Sequence, residues 1–160
     1  MGLTSLVLLG VIRFGWDVIR ANQTVQAKNE IQQNARLAFT RLGSALRSAD
    51  RVYQPPDSLF DAHPGILALD FPGENTNAVI DTYSKNLILA GQSVTIRKLR
   101  LTEGAQSFDL TSDRVNVSQF IVRNRTQSEN LQIIHFDLGL EAVSDPNASL
   151  NLSASFTLRH

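Results

Sequence analysis

Histidines and carboxylates are the residues of this chain with the clearest capacity for chemistry at neutral pH. His63, His135 and His160 are scattered, and none lies at metal-ligand spacing from another histidine or from a carboxylate. Asp137 and Glu141 share a predicted strand face with His135. We interpret this set as a solvated strand face, with a weak metal patch as the alternative.

Other catalytic and binding motifs are missing from the sequence. It has no glycine-rich phosphate loop and no serine-elbow motif. It has no cysteine, which excludes a disulfide framework, a thiol nucleophile and a thiolate metal site. Fifteen basic residues balance fifteen acidic ones, which argues against a nucleic-acid partner. We therefore predict that the chain is not an enzyme, holds no cofactor or metal, and binds no nucleic acid.

The first third of the chain predicts one long helix. From Leu3 to about Arg51 there is no proline and the glycines are isolated, so nothing ends the helix. It would be a rod on the order of 75 Å long. Its second half has an apolar stripe with helical spacing, which predicts packing of the helix on a sheet. The stripe consists of Ile31, Ala35, Ala38, Leu42, Ala45 and Ala49.

The start of this helix is unusually apolar. Residues 5–12 form an apolar run that Arg13 closes, and the run is too short to cross a bilayer, which takes about 20 residues. It has neither the basic stretch nor the cleavage site of a secretory signal. Three interpretations remain open: a truncated membrane helix, an interfacial anchor, or the tip of a helix that needs a partner. We favour truncation, with Met1-Gly2 as an added or relocated start.

The length of the helix indicates a partner outside the domain, because so small a domain cannot cover its whole surface. We divide the chain into a protruding apolar helix at 1–27 and a globular domain at 28–160, which combines the second half of the helix with a β-meander. The residues expected to pack in a membrane or a filament core are Leu6, Leu8, Leu9, Val11, Ile12, Phe14, Trp16 and Ile19.

The remainder of the chain predicts serial β-strands. Tyr53 to Pro56 breaks the helix. Short polar turns, such as the one at 84–86, separate the strands, which favours an antiparallel meander with one buried face. The fold class is therefore α+β, with the long helix packed on a C-terminal antiparallel β-sheet. The predicted strands are 66–71, 78–83, 87–89, 94–101, 115–124, 131–143 and 150–158. In the strand at 94–101 we predict one face with Val94, Ile96 and Leu99 and an opposite, polar face with Thr95, Arg97 and Lys98.

Three stretches carry a resemblance to a known family. Residues 30–42 contain the pattern E-x-Q-x-N-A-R running into a leucine, residues 110–117 begin Leu-Thr-Ser and are followed by Phe120, and residues 153–159 close with Phe-Thr-Leu-Arg. In this order the stretches resemble the minor pilins and pseudopilins of type IV pili and type II secretion systems. The resemblance covers nearly the whole chain.

The resemblance implies a pilin-like fold and a structural filament subunit of the bacterial cell envelope. The implied partners are other pilin or pseudopilin subunits, the inner membrane before assembly, and a prepilin peptidase if the full-length chain has a leader. One departure is clear: the fifth position after Gly2 is Val7, where the family has a glutamate. Arg13 would also be costly inside a membrane segment. The alternative is a membrane-tethered extracytoplasmic binding module that uses the helix only as a stalk.

Overall fold

The computed structural model of the chain describes residues 2–72, 77–89, 91–126 and 131–159, and the side chains of these residues except 2–12, 131 and 159. The predicted turns at 74–77 and 125–130 lie mostly outside the described residues. His160 lies outside them as well.

One uninterrupted helix, α1, spans Gly2–Ser48. Its 47 residues make a rod about 70 Å long. The helix ends three residues earlier than predicted, because Arg51 and Val52 are drawn into a short strand that pairs with Asp70 and Leu69. Backbone pairing with another strand here overrides a local sequence that has no helix breaker before Pro55.

In the described part of the chain, eight antiparallel strands follow the helix, and they form two sheets. The first five strands pair in chain order in one sheet, and the last three form a second sheet. The bounds are β1 Arg51–Val52, β2 Leu67–Asp70, β3 Asn77–Leu89, β4 Gln92–Glu103, β5 Gln106–Asp109, β6 Val115–Asn124, β7 Leu131–Ala142 and β8 Ser149–Arg159.

The predicted fold, a helix on a single antiparallel sheet as in pilins, is therefore wrong. The chain leaves the first sheet after β5, where the backbone N–H of Leu110 donates to the carbonyl of Leu99 at 2.8 Å. β6 then pairs with β7 instead of β5. Alternating apolar and polar residues identify a strand with one buried face, but they do not specify which neighbour it pairs with.

Three predictions at the level of single strands are also wrong. The turn expected at 84–86 does not exist, because β3 runs straight through and pairs with β4 at Ser84–Arg97 and Lys85–Ile96. β5 was not predicted, since its four residues are all exposed and have no apolar alternation. Ile96 and Leu99 do not share a face as predicted, because β4 has an unbroken register and its side chains alternate.

The core lies mainly between α1 and the three-stranded sheet, where the helix packs against β7 and β8. Phe136 is at its centre: its ring stacks on Phe120 at 6.0 Å and meets Phe156 edge to face at 5.9 Å. A Cβ atom at Gly43 would lie 2.6 Å from the Phe156 ring. The helix therefore needs glycine there to approach the sheet this closely.

A loop closes the open side of β6. The backbone N–H groups of Asp61 and Gly65 donate to the carbonyls of Val122 and Phe120, each at 2.8 Å. A Cβ atom at Gly65 would lie 3.0 Å from the backbone nitrogen of Val122, so glycine permits this contact. The loop thereby covers one edge of the second sheet.

Candidate functional site

The protruding segment, residues 13–26 of α1, is the most unusual surface of the described chain. None of its side chains is buried, and the first buried residue of the helix is Ala27. Phe14 is 71% exposed, Trp16 61% and Ile19 52%. These three are predicted assembly residues, and the domain covers none of them. The other predicted assembly residues have side chains outside the described part of the chain: Leu6, Leu8, Leu9, Val11 and Ile12.

The apolar side chains of the protruding segment point to more than one side of the helix. At 3.6 residues per turn, Phe14, Val18 and Val25 lie within about 40° of one another, whereas Trp16 and Ile19 lie on the far side. A helix that is apolar on opposite sides is typical of a buried helix. A single flat contact would cover only one of these two groups.

Charged residues interrupt this apolar surface. Arg13 and Asp17 are four residues apart, a spacing that permits an ion pair on a helix. The structure shows no ion pair between them, and both side chains are exposed. Arg20 is likewise exposed. Although the spacing of Arg13 and Asp17 would permit a pair, the structure leaves both charges exposed on the protruding segment.

Two stretches that carry the family resemblance meet in space where the helix enters the domain. The side chain of Asn34 accepts a hydrogen bond from the backbone N–H of Ser112 at 2.7 Å. Glu30 pairs with Arg114 at 2.7 Å. The sequence separates these partners by about 80 positions, and it holds no signal that they form one joint.

A groove of about 800 Å³ opens beside this joint. Arg20 and Thr24 of the helix line one side, and Leu89 at the end of β3 lines another. The neighbouring Ile88 is 82% exposed. The groove therefore has apolar and charged walls and faces the protruding segment.

The helix-on-sheet residues lie at the opposite end of α1. Ile31, Ala35, Ala38, Leu42 and Ala45 are buried, and Ala49 is partly buried against the same core. Ala27 and Leu46 extend this buried face.

His135 lies in a short chain of polar side chains on the outer face of the second sheet. Its Nδ1 is 2.9 Å from the hydroxyl of Ser155, and its Nε2 is 3.2 Å from Asp137. These residue types resemble a hydrolytic triad, but Asp137 also pairs with Arg123, which neutralises the charge that would stabilise an imidazolium. Ser155 lies exposed on an edge strand. We interpret the set as cross-strand contacts of a sheet face.

His63 has a structural position. Its Nδ1 accepts the backbone N–H of Phe120 at 3.1 Å, and its Nε2 lies 2.6 Å from the guanidinium of Arg97. The ring thus connects the loop before β2 to both sheets. Across the described ranges of the chain, no three histidine or acidic side chains are placed to hold a metal ion.

A buried lysine, Lys98, organises the polar face of the first sheet. The strand pattern predicts this residue on the polar face of β4 and gives no sign of its burial. The side chain of Lys98 is 4% exposed and contacts Asp109 at 2.5 Å and Asp113 at 2.7 Å. Lys85 also pairs with Asp113, and the Tyr83 hydroxyl donates to Asp109 at 2.8 Å. The network ties β3, β4 and β5 to the connection before β6.

These contacts shift the ionisation of the group. Hydrogen bonds from Lys85 and Lys98 hold the pKa of Asp113 below its ordinary value. Burial alone would raise the pKa of Asp109, but hydrogen bonds from Lys98 and Tyr83 outweigh it and the pKa is lowered. Burial likewise opposes the charge of Lys98, yet its two carboxylate partners raise its pKa. All three groups are therefore charged near neutral pH and stabilise one another.

Among the described residues, no helix combines the length and the apolar character needed to cross a bilayer. No protein-family model, curated protein or solved structure matches the chain.

Proposed function

We propose that the chain is a structural subunit of a cell-envelope filament and assembles through residues 1–27 of its helix. The observation that carries this proposal is the exposure of large apolar side chains on two sides of one helical segment, among them Phe14, Trp16 and Ile19. A soluble monomer rarely exposes such a surface unless it binds something. A bundle of helices covers a segment of this kind from several sides at once.

The free energy gained by burying the predicted assembly residues is comparable to the cost of association. Each large apolar side chain contributes about 1.5–3 kcal/mol when it is fully buried, and association costs on the order of 4–15 kcal/mol. The three described assembly residues would together contribute about 5–9 kcal/mol, which matches the lower half of that cost. The full predicted set of eight, with Leu6, Leu8, Leu9, Val11 and Ile12, would contribute about 12–24 kcal/mol, which reaches the upper end of the cost or exceeds it.

The proposal places the chain with the minor pilins and pseudopilins of type IV pili or type II secretion systems. The resemblance of the sequence at residues 30–42, 110–117 and 153–159 supports it. The proposed partners are other subunits of the filament. Before assembly the apolar helix would lie in the inner membrane, with the domain outside the cytoplasm.

A membrane-tethered binding module is the second candidate, and the groove of about 800 Å³ beside the protruding segment favours it. This candidate also predicts exposed aromatic residues on the loops of the domain. Tyr53 and Phe60 are the residues in question, and both are only partly exposed. Phe60 packs against the core.

The test is replacement of Leu8, Val11 and Ile12 by serine in the cells that produce the protein. We expect the variant to be lost from sheared filaments, because the bundle loses three large apolar contacts. The melting temperature of the domain should not change, since the domain covers none of the described helix before Ala27. The matched control replaces Asn29 and Gln33, which are exposed on α1 outside residues 1–27, by serine and should assemble normally.

Mass spectrometry of the sheared filaments provides the readout. A wild-type chain found only in the membrane fraction would exclude the filament and favour the binding module. A large loss of domain stability in the triple variant would show that the segment belongs to the core of the domain.

A further inference from the structure

The outer edge of β8 is an open strand edge. β8 is the last strand of the second sheet and is 11 residues long. Its inner neighbour β7 pairs with it from Leu131–Arg159 to Glu141–Ser149. In the described part of the chain, no backbone hydrogen bond joins its other side to a further strand. By contrast, the loop at 59–66 covers the corresponding edge of β6.

Residues 149–158 of β8 have none of the usual protections of an edge strand, and the one charged residue of the strand is Arg159 at its end. Residues 149–158 contain no charged residue and no proline, and the register with β7 is continuous, without a bulge. β6 does have a register shift, between Val117 and Gln119. Natural edge strands use charges, prolines, bulges or covering loops to prevent pairing with other chains. An unprotected edge of this length is suited to receiving a strand.

An apolar groove accompanies this edge, between β8 and α1. Two adjoining depressions of about 490 and 430 Å³ share Arg36, Phe39 and Leu152 as walls. Phe156 and Leu150 continue the apolar lining, and both are half-buried. These strand residues recur at every second position. Every second side chain of an added strand would therefore point into the groove.

The charge of the groove indicates the chemistry of its occupant. Arg36 and Arg47 lie at its rim and are exposed. No acidic residue lines either depression, and neither arginine forms an ion pair with a described residue. Among the described residues, Arg36 and Arg47 are the only charged ones that line the two depressions, so the groove is positive. A complementary strand carries carboxylates.

We propose that β8 binds an extended segment of a partner protein whose groove-facing side chains, at every second position, include both apolar and acidic residues. The backbone of the segment pairs with the free edge of β8, its apolar side chains enter the groove toward Phe39 and Leu152, and its carboxylates meet Arg36 and Arg47. This is strand addition, in which the main chain provides affinity and the alternate side chains provide specificity.

The probe for the test is a synthetic, end-capped peptide of ten residues with threonine at every second position and valine and glutamate in turn at the positions between, so that valine and glutamate share one face. Its control has lysine in place of each glutamate. Fluorescence anisotropy of the labelled peptides measures binding to the full chain in a mild detergent, and hydrogen exchange measures protection of the β8 amides. We expect the glutamate peptide to bind and to slow exchange across 149–158, and the lysine peptide to do neither.

Charge reversal tests the rim. The double variant R36E/R47E should weaken binding of the glutamate peptide by about tenfold or more. K28E/R125E makes the same change in net charge at exposed positions outside the groove, and it should bind as the wild type does. A second variant, Ala154→Lys, places a charge on the inner side of β8. It should abolish binding, and its melting temperature will show whether the fold persists.

Three results would overturn the proposal. The first is no binding of the glutamate peptide to the wild-type chain. The second is binding that leaves the β8 amides unprotected or that K28E/R125E weakens equally. The third is protection of β8 that rises with protein concentration in the absence of peptide, which would assign the edge to a second copy of the chain.

Discussion

The two halves of α1 differ in burial although no break separates them. None of the described side chains at 13–26 is buried, whereas Ile31, Ala38 and Leu42 in the second half are at most 1% exposed. The exposed half has large apolar side chains, among them Phe14 and Trp16. Four of the seven buried apolar residues of the other half are alanines.

This difference shows that hydrophobicity alone does not identify the half of a helix that belongs to its own domain. Small residues permit a helix to approach a sheet closely, as Gly43 does beside the ring of Phe156. On α1 they lie on the face that packs against the second sheet. Large side chains need more space around them. Their presence on the protruding segment supports the proposal that another molecule covers this segment.

The two halves should differ most in how much the free energy of unfolding falls when one apolar side chain in each half is replaced by alanine. Leu42→Ala leaves a cavity in the core and should lower the free energy of unfolding by about 2–5 kcal/mol. Trp16→Ala removes a larger side chain from an exposed position and should change it by less than about 0.5 kcal/mol. Urea denaturation followed by circular dichroism measures both. Equal losses would mean that the domain covers the protruding segment.

A smaller loss of stability should follow from substitutions at the contacts of Asn34 and Arg114, where the two halves of α1 meet. Asn34→Ala removes the acceptor of the Ser112 backbone N–H and should cost about 1 kcal/mol. Arg114→Ala breaks an ion pair whose arginine side chain is 76% exposed, and it should cost less, at most about 0.5 kcal/mol. The same denaturation curves provide the comparison. A larger loss for Arg114→Ala would show that charge, and not the backbone contact, holds the helix at this point.

Lowering the pH should cause the smallest loss of stability. The groups responsible lie in the globular domain and not in the protruding segment. The lowered pKa values of Asp109 and Asp113 mean that their stabilisation is present above the pKa of the unfolded chain, about 4, and is lost as pH falls through the folded value. Both side chains are more than one third exposed, so the loss is modest.

Melting temperatures between pH 5 and pH 2 measure this loss, and D109N/D113N is the control. The variant leaves Lys98 buried without its carboxylates, so it should be less stable than the wild type at pH 6 and show a shallower further decline in acid. An equally steep decline in both proteins would assign the acid sensitivity to other carboxylates.

Several elements could be predicted because local patterns specify them. The absence of proline and the stripe at steps of three and four indicated α1 and its buried face. β6 has the predicted bounds, and β7 and β8 differ from theirs by a single residue at one or both ends. These strands alternate strongly and end at polar turns or loops. In each case the signal lies within about ten consecutive residues.

The candidate site could be predicted only in part. The apolar character of Phe14, Trp16 and Ile19 is evident in the sequence, and their exposure is a property of the structure. The groove along β8 depends on Phe39 and Leu152, which are more than 100 positions apart in the chain. Lys98 looked like a solvated residue because its carboxylate partners belong to β5 and to the connection after it.

The sequence by itself determined the positions of the long helix and of most strands, because helix and strand periods are local properties of the chain. Only the tertiary structure decided that the strands form two sheets, that β3 continues through 84–86, and that β8 has an open edge. Such features depend on which backbone groups pair across long separations. That pairing follows from the packing of the whole core, and no short pattern of residues specifies it.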